Sequence, residues 1–397
     1  MTGRERMDAA MRPAQSALPD RVPVMCQLSL GHYFLQSGLD PVDIWHDTSA
    51  FGEALVLLQR RYRFDGILVN LPGRHPEWRR LVRSMERGAG GGTIVRWTGG
   101  RNTLLPPDDN PHVFVEATGE RPITRLEEVD PAGLFYVEPH DLAGMTWPTR
   151  WAGSLEPAVP GPAFFPPWHW DTVKQVRSLA PEVSLHGEVF SPFSQLMELI
   201  GCADALSAMM TSPRKVHACL ARLVEGAVAL ACGHFEAGAD AVLISSAFAG
   251  TGFLSPAHYR EFVLPSERAV IAGVRRRFPG RPVYTHTCGA IGDRLELMEE
   301  TGTDGIDTLD PPPLGTVDLA DAKRRLGSRL FIKGNMDPVN TLLLGTPGLC
   351  YEDALRRLEV AKPGGGYILS TACSVPPHTP PGNILQLARA AEEAGWY

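Results

Sequence analysis

The chain predicts an α/β fold: a (β/α)8 TIM barrel with a cap region inserted between its second and third strands. Three observations carry that expectation. Short β-rich runs alternate with amphipathic helical stretches, the order of a parallel sheet with crossover helices. Within the runs the apolar residues are continuous, as in Ala241-Val-Leu-Ile244, which suits strands buried on both faces. Eight such runs occur, and a chain of 397 residues has room to close them into one barrel domain.

Residues 1–21 are polar and Arg-rich without a sustained period, and read as an N-terminal tail or one loosely docked helix. Residues 22–397 read as a single domain whose strand-like runs are 22–28, 65–71, 182–190, 239–247, 281–289, 304–310, 329–335 and 366–373. Between the second and third runs, residues 73–181 are too many for a plain crossover. Inside that stretch 88–92 is glycine-rich, 92–99 and 110–118 read as a hairpin pair, and 157–170 is dense in proline and aromatics. The stretch is expected to cap the barrel mouth rather than to form a second domain.

A formal charge of −7, with 38 Lys and Arg scattered along the chain, leaves no electrostatic footprint for nucleic acid and points to a small-molecule substrate. No apolar stretch approaches the ~18 residues of a membrane span, and the start lacks the apolar centre of a signal peptide, so a cytoplasmic protein with no membrane partner is expected. Seven cysteines make an odd count that fits reduced thiols better than a disulfide framework. Cys202, Cys219, Cys232 and Cys350 have no partner spacing and read as small core or surface residues.

His286 and Cys288 lie two residues apart in a strand-like run, so alternation points both side chains to one face. Cys373 closes the last run, and in a barrel the C-terminal strand ends converge on one site. A neutral imidazole and two thiolates would hold zinc with one position open. Spacing alone leaves this reading and one of satisfied core residues both standing. Glu188 and Asp310, at the ends of the third and sixth runs, are candidate catalytic groups: a fourth ligand or proton donor, or carboxylates paired at the rim. His32, Asn70, Asn335 and His378 are candidate substrate contacts, with capping or loop roles as the alternatives, and His378 is also placed to stand behind Cys373. Asn335 and Asp337 also read as turn formers. Trp168, His169 and Trp170 either line the mouth or pack.

The segments Phe331-Ile-Lys-Gly-Asn-Met-Asp-Pro-Val339 and Gly364-Gly-Gly-Tyr-Ile-Leu-Ser-Thr-Ala-Cys-Ser-Val-Pro-Pro-His-Thr-Pro-Pro-Gly-Asn-Ile384 resemble the late strands of the uroporphyrinogen decarboxylase superfamily. Gly238-Ala-Asp-Ala-Val242 and Leu254-Ser-Pro-Ala-His-Tyr-Arg-Glu-Phe-Val-Leu-Pro265 are similar to it as well. Within that superfamily the chain resembles the zinc-dependent methyltransferases, whose His-x-Cys and later Cys fall here on His286, Cys288 and Cys373, the cysteines 85 apart. The resemblance implies a zinc cofactor and methyl transfer between a corrinoid on a separate protein and a small thiol, ether or amine. True decarboxylases carry an Arg-Gln-Ala-Gly-Arg-Tyr segment after the first strand, where this chain has Gln27-Leu-Ser-Leu-Gly-His-Tyr33. The rival expectation is a metal-independent decarboxylase acting on a carboxylated ring, and a third is a non-catalytic zinc- or corrinoid-binding protein. The Asp-x-His-x-x-Gly mark of a corrinoid module is absent, so any corrinoid is expected on a partner or free.

Overall fold

Seven of the eight strand-like runs become strands of one parallel sheet in the computed structural model, which describes residues 1–13, 17–88, 90–98, 101–115, 124–138, 160–161 and 163–397. In chain order the strands are β1 (Gly66–Val69), β2 (Val82–Arg87), β3 (Thr93–Trp97), β4 (Arg101–Leu105), β5 (His112–Val115), β6 (Ser184–Phe190), β7 (Ala241–Ser245), β8 (Val283–Thr287), β9 (Gly305–Thr308), β10 (Phe331–Met336) and β11 (Tyr367–Thr371). The parallel sheet curls in the order β1-β6-β7-β8-β9-β10-β11, with crossover helices between successive strands.

The first expected strand, 22–28, makes no regular ladder. Pro23 has no N–H to donate, so the segment meets the sheet only through isolated parallel bridges, Val24 to Leu369 and Leu28 to Val375. It nevertheless reaches both edges. The Asp65 amide donates to the Val24 carbonyl at 2.7 Å on one side, and Met25 donates to Leu369 at 3.1 Å on the other. Asp65, just before β1, locks this closure: its buried carboxylate accepts from the Val24 amide (2.8 Å), from Arg21 (3.0 Å) and from Arg6 (2.5 Å).

The start of the chain is docked more firmly than its sequence suggests. Thr2 caps helix Gly3–Ala10 with a full capping box, and Met7 and Ala10 are fully buried. They join Met25, Leu68, Ala241, Leu243, Tyr284, Phe331 and Ile368 in one apolar cluster that fills the sheet's interior toward the N-terminal strand ends. Burying a side chain such as Met7 is worth roughly 1.5–3 kcal/mol, enough to hold a short helix in place.

Strand alternation sets the next interior layer. Two residues beyond Met25, Leu68, Leu243, Tyr284, Phe331 and Ile368 come Gln27, Asn70, Ser245, His286, Lys333 and Ser370. His186 hydrogen-bonds the inward Tyr284 hydroxyl at 2.8 Å, which puts Glu188 in the same layer on β6, and Asp307 takes that place on β9, in register with His286. An apolar floor therefore carries a polar storey facing the C-terminal strand ends.

Residues 73–181 contain a second, antiparallel sheet of four strands in the order β2-β3-β4-β5. The expected pairing of 92–99 with 110–118 is corrected. β3 and β5 are both present, but β4 lies between them and pairs with each, while β2 pairs with β3 and the Gly88 amide beyond it donates to the Gly92 carbonyl at 2.8 Å. Short polar strands such as Arg101–Leu105 carry too weak an alternation to be read beforehand. Residues 116–118 of that expectation, and parts of 157–170, fall outside the described residues. Trp97 of β3 packs edge-on to His46 at 4.9 Å, and Asp108 bonds His378 at 2.6 Å, so this sheet and its loop lie against the helix Pro41–His46 and the segment that follows β11.

Helix Pro213–Glu236 corrects the expectation about apolar stretches, because by length and composition it is apolar enough to cross a membrane. Its buried residues, among them Val216, Cys219, Leu223, Ala227 and Leu230, lie in the apolar clusters of the fold. All seven cysteines are free thiols.

Candidate metal centre

His286, Cys288 and Cys373 come together at the C-terminal strand ends. Each offers one ligand atom, and these atoms all lie within 4.8 Å of one another. His286 Nε2 is 3.2 Å from Cys288 Sγ, which is 3.6 Å from Cys373 Sγ. β8 delivers His286 and ends at Thr287, so Cys288 sits on the first turn beyond it. Gly289, at φ 78°, turns the chain there, and its amide donates to Asp310 at 2.6 Å. Gly250 lets the loop after β7 press on this turn, since a Cβ there would stand 2.3 Å from the Cys288 carbonyl oxygen.

The other ring nitrogen, His286 Nδ1, faces Asp307 at 3.5 Å. That geometry leaves Nε2 toward the sulfurs, the arrangement of a carboxylate-oriented metal-binding imidazole. Asp307 in turn accepts two bonds from Lys333 Nζ, at 2.9 and 3.0 Å, with both residues buried. Burial pushes the Asp307 pKa up, but Lys333 and His286 more than offset it, leaving the carboxyl at about 2. Burial pulls His286 down, and Asp307 and Cys373 outweigh it, raising the group to about 10. The Cys288 thiol donating to Cys373 holds Cys373 well below the ordinary thiol range and Cys288 above it. Without a metal the protein thus pairs a thiolate with a thiol and an imidazolium, whose protons a bound cation would displace. A nitrogen and two sulfurs in mutual reach, with an orienting carboxylate behind the nitrogen, is a donor set that fits zinc.

Two further candidates stand close by. Glu188 is buried in the polar layer, and burial, opposed by His286, raises its pKa to about 7. Asp310 is raised to about 6 by burial against the Gly289 hydrogen bond. Asn70 sits one residue past β1 in the same layer, and its Oδ1 is buried without a partner among the described residues.

Three candidates are not at the centre. His32 is fully buried, with Nε2 on the Tyr62 hydroxyl at 2.7 Å and Nδ1 on the Pro377 carbonyl at 2.9 Å, so both nitrogens are spent on packing. Asn335 donates to the Leu309 carbonyl at 2.8 Å and accepts from Arg357 at 2.6 Å. His378 is exposed and tied to Asp108. Asp337 caps the following turn through the amides of Val339 and Asn340, as a turn former does. His169 and Trp170 pack with Phe165, and Trp168 with His75. Sequence reasoning missed Asp307 and Lys333. Their signal was a single charge in each of two inward-reading strands, which only strand register converts into a pair.

A curled parallel sheet with its ionisable and metal-ligating groups gathered at the C-terminal strand ends defines a barrel-like α/β enzyme scaffold. A family model described as uroporphyrinogen decarboxylase (URO-D) matches residues 155–394, and the chain belongs to that family, whose members are enzymes. A uroporphyrinogen decarboxylase from Edwardsiella ictaluri (strain 93-146) is 32% identical over 222 residues, covering 53% of this chain and 59% of the relative. One from Chlorobium phaeovibrioides (strain DSM 265 / 1930) is 29% identical over 231 residues, covering 56% and 62%. The chain thus spans about three-fifths of the length of these curated relatives. A solved methyltransferase from Methanosarcina mazei shares the fold across 99% of both chains, with a TM-score of 0.70 and 19% identity.

Proposed function

We propose that this chain is a zinc-dependent methyltransferase that moves a methyl group between a corrinoid, carried by a separate protein, and a small thiol, ether or amine. The observation that carries the reading is the convergence of His286, Cys288 and Cys373 on one point at the strand ends. Residues 22–28 would act as the eighth stave of a full barrel, with the inserted sheet as a cap beside its mouth. Seven free thiols suit a cytoplasmic setting.

Zinc held by one imidazole and two thiolates would supply a modest Lewis acid that lowers the pKa of a substrate thiol or hydroxyl. Asp307 fixes the ring of His286, and Lys333 keeps Asp307 ionised. Asp310 holds the turn carrying Cys288. Glu188, with a pKa near neutrality, is suited to take or return the proton at the substrate heteroatom. The apolar floor beneath excludes water from that exchange.

The purified protein is expected to contain one zinc per chain with an absorption-edge spectrum of mixed sulfur and nitrogen ligation. Cys288→Ser and Cys373→Ser should each lose most of the metal, and with it methyl transfer from methylcobalamin to a panel of thiols. A protein that decarboxylates carboxylated tetrapyrroles at full rate after metal removal would overturn the reading in favour of the family's other chemistry.

A further inference from the structure

Across the sheet from His286, two strand ends carry polar oxygens that no group among the described residues satisfies. Residues 22–28 touch β11, the strand that leads to Cys373, on one side and the start of β1 on the other, and they lie four strands from β8, which carries His286. From it Gln27 enters the polar interior layer, and from the neighbouring β1 end comes Asn70. Gln27 Oε1 and Asn70 Oδ1 are both buried and meet no hydrogen-bond partner among the described residues. An orphaned buried carboxamide costs stability, and two on adjacent staves facing a catalytic mouth are explained if a ligand completes them.

The charges around them define that ligand's sign. The interior layer and its rim hold carboxyl groups, Glu188, Asp307 and Asp310 among them, and the two groups there that carry positive charge without a metal, Lys333 and His286, both face Asp307. Nearby guanidinium groups point elsewhere: Arg294 bonds the Ala249 and Leu254 carbonyls, and Arg357 bonds Asn335 and Asp353. An anionic head would enter a field of its own sign without a free cation among these groups. Carboxamides offer a donor edge and an acceptor edge, and match groups that present both.

We propose that Gln27 and Asn70 form an uncharged hydrogen-bonding pole, facing the metal centre, that selects a substrate whose far end is an amide, lactam or urea over one ending in carboxylate, sulfonate or phosphate. The inference rests on the methyltransferase reading for which end of the substrate meets the metal, while the selectivity is a property of this wall.

Two matched probes test it: 3-mercaptopropionamide and 3-mercaptopropionate, titrated calorimetrically into the cobalt-substituted protein. The amide is expected to bind about tenfold more tightly, the worth of one or two neutral hydrogen bonds. Gln27→Leu and Asn70→Leu should each erase most of that preference while keeping the metal and a thermal midpoint no lower than the parent's, since each removes an unsatisfied group. Equal or tighter binding of the acid, or a preference unchanged in both variants, overturns the inference. The sulfur-to-cobalt charge-transfer band reports separately on the metal reading. Its absence would sink that reading, while the calorimetric ratio still decides the role of the wall.

Discussion

At the scale of single residues, the centre works through a chain of orientation: Lys333 to Asp307, Asp307 to His286, His286 to the sulfurs. Asp307→Asn should therefore lower zinc affinity by about 10–100-fold, the usual effect of removing a carboxylate behind a ligating imidazole. Competition against a chromophoric chelator measures it. Because that substitution also strands Lys333, the double variant Asp307→Asn/Lys333→Met should recover stability but not affinity; recovery of both would make Asp307 a structural partner only. The clustering of His286, Cys288 and Cys373 was legible because strand-end spacing is local. The partners of His32, Asn335 and His378, which are Tyr62, Arg357 and Asp108, were not legible because they lie in other segments of the chain.

At the scale of elements, closure depends on Asp65. Its carboxylate compensates Arg6 from the first helix and Arg21 from the closing segment, all three buried. Asp65→Ala should cost about 3 kcal/mol by leaving buried Arg21 without its carboxylate and Arg6 with Asp20 alone, read as a lowered urea midpoint. Glu225→Ala, which removes only an exposed pair with Arg222, should stay within about 0.5 kcal/mol. Equal effects would mean that Asp65 does not fasten the closure. Seven strands were readable from their apolar runs, whereas the closing segment falls short of a strand because Pro23 interrupts its donors. In the inserted sheet, β2 and β4 escaped notice because their sequences, Val82–Arg87 and Arg101–Leu105, carry no strong apolar alternation.

For the whole molecule, buried carboxyls tie stability to pH. Glu267, fully buried and away from the metal centre, accepts from the Tyr259 hydroxyl at 2.9 Å. Burial, against its hydrogen bonds to Ser246 and Tyr259, raises its pKa to about 7. In the unfolded chain a glutamate releases its proton near ~4.3. The folded state thus binds the extra proton between those values, so this stability is full at low pH and is lost as pH rises through about 7. Its size is on the order of 3 kcal/mol. Glu267→Gln, which keeps an acceptor for Tyr259, should gain stability over the parent at pH 8 but not at pH 4. A difference that does not change with pH in denaturant titrations would remove Glu267 from the linkage.

Periodicity and composition, which run along the chain, determined by themselves the parallel α/β class and the strand count to within one, and they placed His286, Cys288 and Cys373 at strand ends as candidates. Only the tertiary structure decided that Asp307 stands beside His286, that the inserted strands pair through β4, and that Gln27 Oε1 and Asn70 Oδ1 are buried with no hydrogen-bond partner among the described residues. The physical reason is that register between strands, and the identity of the residue across a barrel, arise from hydrogen bonds and packing between segments distant in sequence, where no local period records them.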